Sequence, residues 1–298
     1  MKKIFAPLLC FLLLAGSAQA ATQEEIQKIK ITAAQGDAKA QFDLGWMYDN
    51  GNGVIQDYAE AVKWYQRAAE QGDELGQVQL GAMYNFGHGV VQNYSEAVKW
   101  YRLAAAQGNT WAQYSLGWMY EKGQGVGQSD VETTKLNADK GNVTDQIERM
   151  IEGFSQDYAE AVKWYRLAAE QGYADAQSNL GAMYYFGHGV AQNYSEAVKW
   201  YRLAAAQGNA MAQINLGVCY ANGQGVRQSY TVAIKWHQLA ARQGEATAQY
   251  NLGLAYENGR GVKQNRATAK EWFGKACDNG FQKGCDAFRR LNETTKRR

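Results

Sequence analysis

The sequence predicts an all-α protein, folded as a right-handed superhelical solenoid of helix-turn-helix repeats. A glycine recurs every 36 residues over much of the chain, each repeat carries two apolar stripes, and no proline follows Pro7. Self-similarity at this period is typical of repeat arrays, in which a helix pair buries its apolar faces only against its neighbours. We therefore expect a concave inner surface lined by first helices and a convex outer surface.

Residues 37–72 show the helical spacing of each repeat. Apolar residues at helical intervals form one stripe in the first half and a second stripe in the second half: Ala40, Leu44, Met47, Tyr48; then Ala61, Trp64, Tyr65, Ala68, Ala69. Apolar residues at i, i+4, i+7 and i+8 indicate an amphipathic helix. Each repeat is therefore predicted to be a pair of helices.

Glycines and short polar residues mark the predicted helix ends. Gly51 and Gly53 suit a left-handed helix end, and Gly72 ends the second helix. Asp57 is positioned to cap the second helix, with Glu60 three residues later. Gly45 lies inside the first helix, where glycine costs about 1 kcal/mol relative to alanine, so we interpret it as a point where two helices cross.

These motifs resemble those of a known repeat family. The segments Ala40-Gln41-x-x-Leu44-Gly45-x-x-Tyr48, Gly51-x-Gly53-Val54 and Ala61-x-x-Trp64-Tyr65-x-x-Ala68-Ala69 resemble Sel1-like repeats, which are relatives of the tetratricopeptide class. The resemblance covers about residues 37–280. It implies a helical solenoid and, for bacterial members, an adaptor role in signalling, envelope regulation or contact with host cells.

The period divides the chain into seven predicted repeats between two capping helices, at 21–36 and 281–298. The repeats span 37–72, 73–108, 109–141, 142–172, 173–208, 209–244 and 245–280. Repeats 109–141 and 142–172 are short and degenerate, so we expect a soft joint near 128–156. Residues 56–109 reappear as 156–209 with 44 of 54 positions identical, which indicates a duplication that lengthens the scaffold.

Residues 1–20 have the pattern of a cleaved secretory signal peptide. Lys2 and Lys3 precede an apolar run that ends before Ala18-Gln19-Ala20, so cleavage is expected after Ala20. The protein is therefore expected in the periplasm or outside the cell, without a membrane-spanning or lipid anchor. Removal of the two lysines leaves equal numbers of acidic and basic residues, which argues against nucleic acid as a partner.

Three cysteines remain after cleavage, at Cys219, Cys277 and Cys285. Cys277 and Cys285 flank the turn at Gly280, so antiparallel helices bring them together, and export favours a disulfide between them. The resemblance to cysteine-rich Sel1-like proteins, which carry a Cys-x7-Cys link, implies the same pairing. Cys219 is predicted to be a buried free thiol.

The sequence contains no recognisable catalytic motif. The nucleophile elbow, Ser-x-x-Lys and His-Glu-x-x-His are all missing, and the Gly-x-Gly loops lack the context of a phosphate site. His88, His188 and His237 are too far apart to form a metal site and are expected to face solvent. We therefore predict no enzymatic activity, no metal and no cofactor.

The candidate binding residues vary between repeats. By analogy with the tetratricopeptide unit, five positions of each first helix should face the inner groove, and many of them carry aromatic or acidic residues: Phe42, Asp43, Trp46, Asp49, Trp111, Tyr114, Ser115, Trp118, Glu121, Tyr185, Tyr250. Trp and Tyr dominate many binding interfaces. The tryptophans that recur at one second-helix position are instead expected to be packing residues: Trp64, Trp100, Trp164, Trp200, Trp236.

The predicted function is that of an exported scaffold that binds a protein or peptide partner, an envelope component or a host-cell protein, in its concave groove. Two alternatives stay open. One is a periplasmic regulator of a signalling sensor. The other is a cell-wall hydrolase that binds β-lactams, as in cysteine-rich relatives, although the missing Ser-x-x-Lys weighs against it.

Overall fold

The computed structural model describes residues 22–126 and 157–296. Within these ranges the secondary structure consists of 14 helices and no strands, which confirms the all-α prediction. The helices are α1 Gln23–Ala34, α2 Ala38–Asn50, α3 Tyr58–Glu70, α4 Glu74–Phe86, α5 Tyr94–Ala106, α6 Thr110–Lys122, α7 Tyr158–Glu170, α8 Ala174–Phe186, α9 Tyr194–Ala206, α10 Ala210–Asn222, α11 Tyr230–Arg242, α12 Ala246–Asn258, α13 Arg266–Asp278 and α14 Gln282–Lys296.

The chain forms two compact units, residues 1–92 and 93–298. In the first unit, α1 to α4 pack in sequential order, and Ile26 and Ala33 of α1 are buried against Leu44 and Met47 of α2. In the second unit, α5 to α14 also pack consecutively. Helix α1 therefore covers the first helix pair, as the apolar stripe of the predicted capping segment requires.

The predicted helix ends are present. Gly51 ends α2 with a left-handed φ of 68°. The carboxylate of Asp57 caps α3 by accepting hydrogen bonds from the backbone N–H groups of Ala59 and Glu60, at 2.9 and 3.0 Å. Asn193 caps α9 in the same way through the N–H of Glu196. These caps satisfy N–H groups that have no partner within the helix.

The glycines inside the first helices are contact points, as predicted. A Cβ atom at Gly45 would lie 2.7 Å from Cδ1 of Tyr65, and one at Gly117 would lie 2.5 Å from Cδ1 of Tyr165. A ring from the second helix thus packs directly on the backbone of the first. This approach is closer than any side chain would allow.

A buried glutamine explains the Ala-Gln motif at the start of most first helices. Gln41 donates a hydrogen bond to the carbonyl of Ala33, eight residues earlier, at 3.2 Å. It also accepts one from Gln71, thirty residues later, at 2.7 Å. The same bonds recur at Gln213, with Ala205 and Gln243. A single amide therefore links the preceding helix, its own helix and the following one, and its polar atoms are satisfied inside the core.

Helices α6 and α7 form one helix pair although 35 residues separate them. Tyr165 donates to Glu121 at 2.7 Å, as Tyr65 of α3 donates to Asp49 of α2 at 3.2 Å. Gln171 likewise donates to Gln113 at 2.8 Å. The structure therefore pairs two helices that the sequence division assigns to different repeats, 109–141 and 142–172. The predicted joint at 128–156 lies outside the described residues, and the repeat boundaries stay a prediction.

No helix within 22–126 or 157–296 combines the length and the apolarity needed to cross a bilayer.

Candidate interaction surface

The candidate residues of the first unit are mostly engaged within it. Phe42 is buried, with only 5% of its surface exposed, and its ring centroid lies 5.7 Å from that of Tyr65. Asp43 pairs with Lys39, and Asp49 accepts the hydrogen bond of the Tyr65 hydroxyl. Trp46 is half-buried against the apolar core of this unit. Phe42 therefore packs in the core, away from the surface on which we predicted it.

The second unit presents a group of half-buried aromatic residues on α6. Trp111 contacts Tyr101 edge-to-face, with ring centroids 5.4 Å apart. Tyr114 lies between two other rings, 5.9 Å from Tyr165 and 5.2 Å from Tyr173. Trp118 is half-buried one turn further along, whereas Ser115 is buried. Each of these aromatic residues has part of its surface in contact with solvent.

Tyr173 was not among the predicted residues, although it stands at the position where Asp or Asn caps most first helices. It is the N-cap residue of α8 but makes no side-chain cap hydrogen bond, whereas Asn109 and Asn209 cap α6 and α10 through theirs. Its ring instead packs against Tyr114 of the preceding first helix. The sequence signal was an aromatic residue directly after Gly172, where most repeats carry Asp or Asn.

The same ring pair occurs once more in this unit. Tyr250 of α12 lies 5.2 Å from Phe281, measured between ring centroids, and Phe281 also follows a repeat glycine, Gly280. An aromatic residue at the start of one first helix thus packs against an aromatic residue of the preceding first helix. Phe281, like Tyr173, was missed in the sequence prediction.

Carboxylates lie beside the rings of α6. Glu121 accepts from the Tyr165 hydroxyl and pairs with Lys122 at 2.7 Å. Asp175, on the first turn of α8, accepts from Asn209 at 2.7 Å, and partial desolvation raises the pKa of its carboxyl group. Burial, followed by the charge of Asp175, raises the pKa of Tyr114 to about 12. This aromatic and acidic surface suits contact with a partner's side chains.

Tyr185 belongs to a different ring cluster, at the end of α8. Its ring lies 4.9 Å from Phe186 and 5.1 Å from Tyr194, and its hydroxyl donates to Gln224 at 2.7 Å. Phe186 in turn contacts His188, which stacks on Tyr158. The predicted residues of the second unit therefore fall into separate clusters around Tyr114, Tyr185 and Tyr250.

The structure corrects the prediction for one histidine. His88 and His188 are exposed loop residues, as expected, but His237 is buried on α11, where a Cβ atom at Gly217 would lie 2.5 Å from its Cε1. It occupies the position that Tyr65 and Tyr165 hold in other repeats. Burial lowers the pKa of His237 to about 4, so the ring is neutral near pH 7.

The cysteines lie where the spacing predicts. The Sγ atoms of Cys277 and Cys285 are 1.95 Å apart, at disulfide bonding distance, with Cα atoms 4.5 Å apart. Cys219 is a buried thiol in the core beside Leu216, and burial raises its pKa to about 11. Within the described ranges, no three His, Cys, Asp or Glu residues are grouped so that they could hold a metal ion.

Comparison with known proteins identifies the repeat. The profile of the Sel1 repeat matches residues 38–73, 75–109, 112–133, 152–173, 174–209, 210–245 and 246–281. The matches 112–133 and 152–173 are short; the first covers most of α6 and the second contains α7. No protein with curated function matches the chain.

Two solved structures resemble the chain closely enough to inform its fold. A Sel1 repeat protein from Oxalobacter formigenes is 31% identical with a TM-score of 0.69, over 85% of this chain and 90% of that one. A protective antigen present in uropathogenic Escherichia coli strains is 36% identical with a TM-score of 0.53, over 89% of this chain and 59% of its own.

Proposed function

Because the chain belongs to the Sel1 repeat family, we propose that it is a non-enzymatic scaffold that binds a protein or peptide partner. Repeats of this family generally mediate protein–protein interaction. The partner binds the α6 surface, which consists of Trp111, Tyr114, Trp118 and Glu121 with Tyr173 of α8. The observation that carries this proposal is the half-exposed tryptophan pair on α6.

Comparison between repeats supports a role for these tryptophans outside the fold. At the position of Trp118, α8 has Ala182 and α10 has Val218, yet both helices pack as α6 does. At the position of Trp111, α10 has Met211. Helix stacking therefore does not need tryptophan at either position. Large, partly exposed aromatic residues are frequent hot spots of binding.

The missing cap at Tyr173 supports the same surface. Replacement of an Asn or Asp N-cap by a residue that makes no cap bond costs about 1 kcal/mol. Here the side chain packs on Tyr114 instead and extends the α6 surface toward α8. Tyr173 therefore makes α8 less stable but adds aromatic surface, and this combination favours a binding role.

The test is a quantitative pull-down with the chain from residue 21. The variant Trp111→Met/Trp118→Val replaces both tryptophans by the residues that α10 already carries, so we expect its helicity by circular dichroism to equal that of the native chain. We expect at least tenfold less recovery of the main partners from cell envelope and culture fluid. Equal recovery by the variant and the native chain would contradict the proposal.

We further propose that the protein is exported and that its partner lies in the periplasm or outside the cell, as an envelope or host-cell protein. The pattern of residues 1–20 and the Cys277–Cys285 pair support this, because disulfides persist in oxidising compartments. The likeness to a protective antigen of uropathogenic E. coli also favours it.

Thiol titration and mass measurement test the export proposal. Protein purified from its native cells should have the mass of a chain that begins at Ala21. After unfolding without reductant it should show one reactive thiol, Cys219, and three after reduction. An uncleaved chain, or three thiols before reduction, would count against export.

A further inference from the structure

Four exposed leucines lie on second helices of the second unit. Leu103, Leu167, Leu203 and Leu239 occupy the same position on α5, α7, α9 and α11, and 41–50% of each is exposed. Single exposed leucines are common on protein surfaces, but a row of them at one position of successive repeats is a patch that indicates an interaction.

The fold does not require leucine at this position. The equivalent residues are Arg67 on α3 and Lys275 on α13, whose charged groups lie over the rings of Trp64 and Trp272 at 4.5 and 4.4 Å. Helices with a cation here pack in the same way as helices with leucine. The exposed apolar side chain is therefore an addition to the repeat, and packing alone does not explain it.

An arginine precedes three of the leucines and is held in place by the next first helix. Arg166 and Arg202 donate to the hydroxyl groups of Tyr184 and Tyr220 at 2.7 and 2.8 Å, and Arg102 donates to Tyr120. The three arginines are exposed residues, and their guanidinium groups have further N–H donors. Because the tyrosine restricts each side chain, a ligand would bind it with a smaller loss of conformational entropy.

The charge around the row is positive. The lysines of α5, α7 and α9 each pair with a glutamate three residues earlier, so these charges largely cancel: Lys99 with Glu96, Lys163 with Glu160, Lys199 with Glu196. On α5 and α9 the arginines beside the leucines then leave a positive excess along an apolar line, whereas on α7 the exposed Glu170 offsets Arg166 four residues earlier. Such a surface is complementary to a ligand that is both apolar and acidic.

We propose that this leucine–arginine row, Leu103, Leu167, Leu203 and Leu239 with Arg102, Arg166 and Arg202, binds an acidic amphipathic helix of a partner protein. The apolar face of that helix covers the leucines, and its carboxylates pair with the arginines, whose fork geometry suits carboxylate. This site is separate from the α6 surface, so either proposal stands if the other fails.

Other occupants fit the charges less well. A second copy of the chain in a twofold contact would place arginine rows against each other, and like charges across an interface are unfavourable. An anionic bilayer would gain little from this surface, because the lysines of these helices are already paired with Glu96, Glu160 and Glu196 and only the arginines remain to attract it. The acidic helix is the occupant that matches both the leucines and the arginines.

The probe is a synthetic peptide of about 18 residues, five helical turns, with leucines on one face and glutamates on the other. A matched peptide has lysine in place of each glutamate. We expect fluorescence anisotropy with the chain from residue 21 to give at least tenfold tighter binding of the glutamate peptide, weakening as salt is raised. Equal affinity for both peptides would overturn the proposal.

Three variants locate the site. Substitution of all four leucines by glutamine, a good helix former, should weaken binding of the glutamate peptide at least tenfold, whereas Trp111→Met/Trp118→Val should leave it unchanged. Tyr184→Phe/Tyr220→Phe keeps the arginines but releases them, and should weaken binding two- to fivefold. Unchanged affinity in the leucine variant would overturn the proposal, as would a native dimer in sedimentation that the same variant abolishes.

Discussion

The helix pairs α6–α7 and α10–α11 use the same core position differently. In α6–α7, Tyr165 packs on Gly117 and its hydroxyl donates to Glu121. In α10–α11, His237 packs on Gly217, and its Nδ1 atom has no hydrogen-bond partner within the described part of the chain. The repeat therefore needs a flat ring against a glycine, whereas a polar partner for the ring is optional.

The largest effect is expected when the ring loses its glycine. Gly117→Val and Gly217→Val each insert side-chain atoms where a Cβ alone would lie 2.5 Å from the ring. Overpacking of this kind should lower the free energy of unfolding by about 3 kcal/mol in either pair. The measurement is the urea midpoint, with the exposed Ala106→Val as control. A large effect at one glycine and none at the other would show that the two helix pairs do not share the need for a glycine under the ring.

The second prediction separates the two pairs by pH. His237 has a pKa lowered to about 4 from 6.5, so the unfolded chain binds its proton first. The neutral buried ring contributes fully to stability above pH 6.5. This contribution is lost as the pH falls toward 4, and the loss reaches about 2 kcal/mol at pH 5. His237→Phe, which copies Phe273, should remove this part of the acid sensitivity. Urea unfolding at pH 7 and pH 5 measures it; an unchanged difference between the two pH values would contradict the assignment.

The third prediction transfers the polar partner. Ala221 stands in α10 where α6 carries Glu121, so His237→Tyr/Ala221→Glu rebuilds the pair of α6–α7 in α10–α11. We expect a gain of about 1 kcal/mol at pH 7 from the new hydrogen bond. His237→Tyr alone is the control. A double variant no more stable than this control would show that the position does not accept the pair.

The smallest effect is expected when the polar partner of the ring is removed from α6–α7. Tyr165→Phe removes the hydroxyl but keeps the ring, as Phe273 does in α13, and Glu121 keeps its pairing with Lys122. The cost should be about 0.5–1 kcal/mol. Thermal unfolding of the variant beside Tyr65→Phe would check it, and a loss above 3 kcal/mol would show that the ring depends on its hydroxyl.

Features that depend on neighbours along the chain could be predicted from the sequence. The helix stripes, the caps at Asp57 and Asn193 and the left-handed end at Gly51 depend on residues a few positions apart. Because the pattern recurs every 36 residues, the helix assignment made for one repeat applied to most of the chain. The crossing role of Gly45 also followed, because glycine inside a helix needs a compensating contact.

Features that depend on residues far apart were missed or misplaced. His237 was expected in solvent, yet it fills a ring position defined by Gly217. Phe42 was expected in the groove, yet it packs on Tyr65. Tyr173 stands out in the sequence because most repeats have Asp or Asn at its position. Only its contact with Tyr114 in the structure explains why tyrosine is there.

The all-α class, the repeat, the helix ends and the antiparallel approach of Cys277 and Cys285 could all be predicted from the residue pattern, because local periodicity and capping specify a helix pair. The pairing of α6 with α7, the choice of buried rings and the exposure of the leucines and arginines on successive second helices became clear only from the packing of the helices. The reason is that stacking brings together residues from different repeats, and the pattern within one repeat does not specify which surfaces that stacking covers.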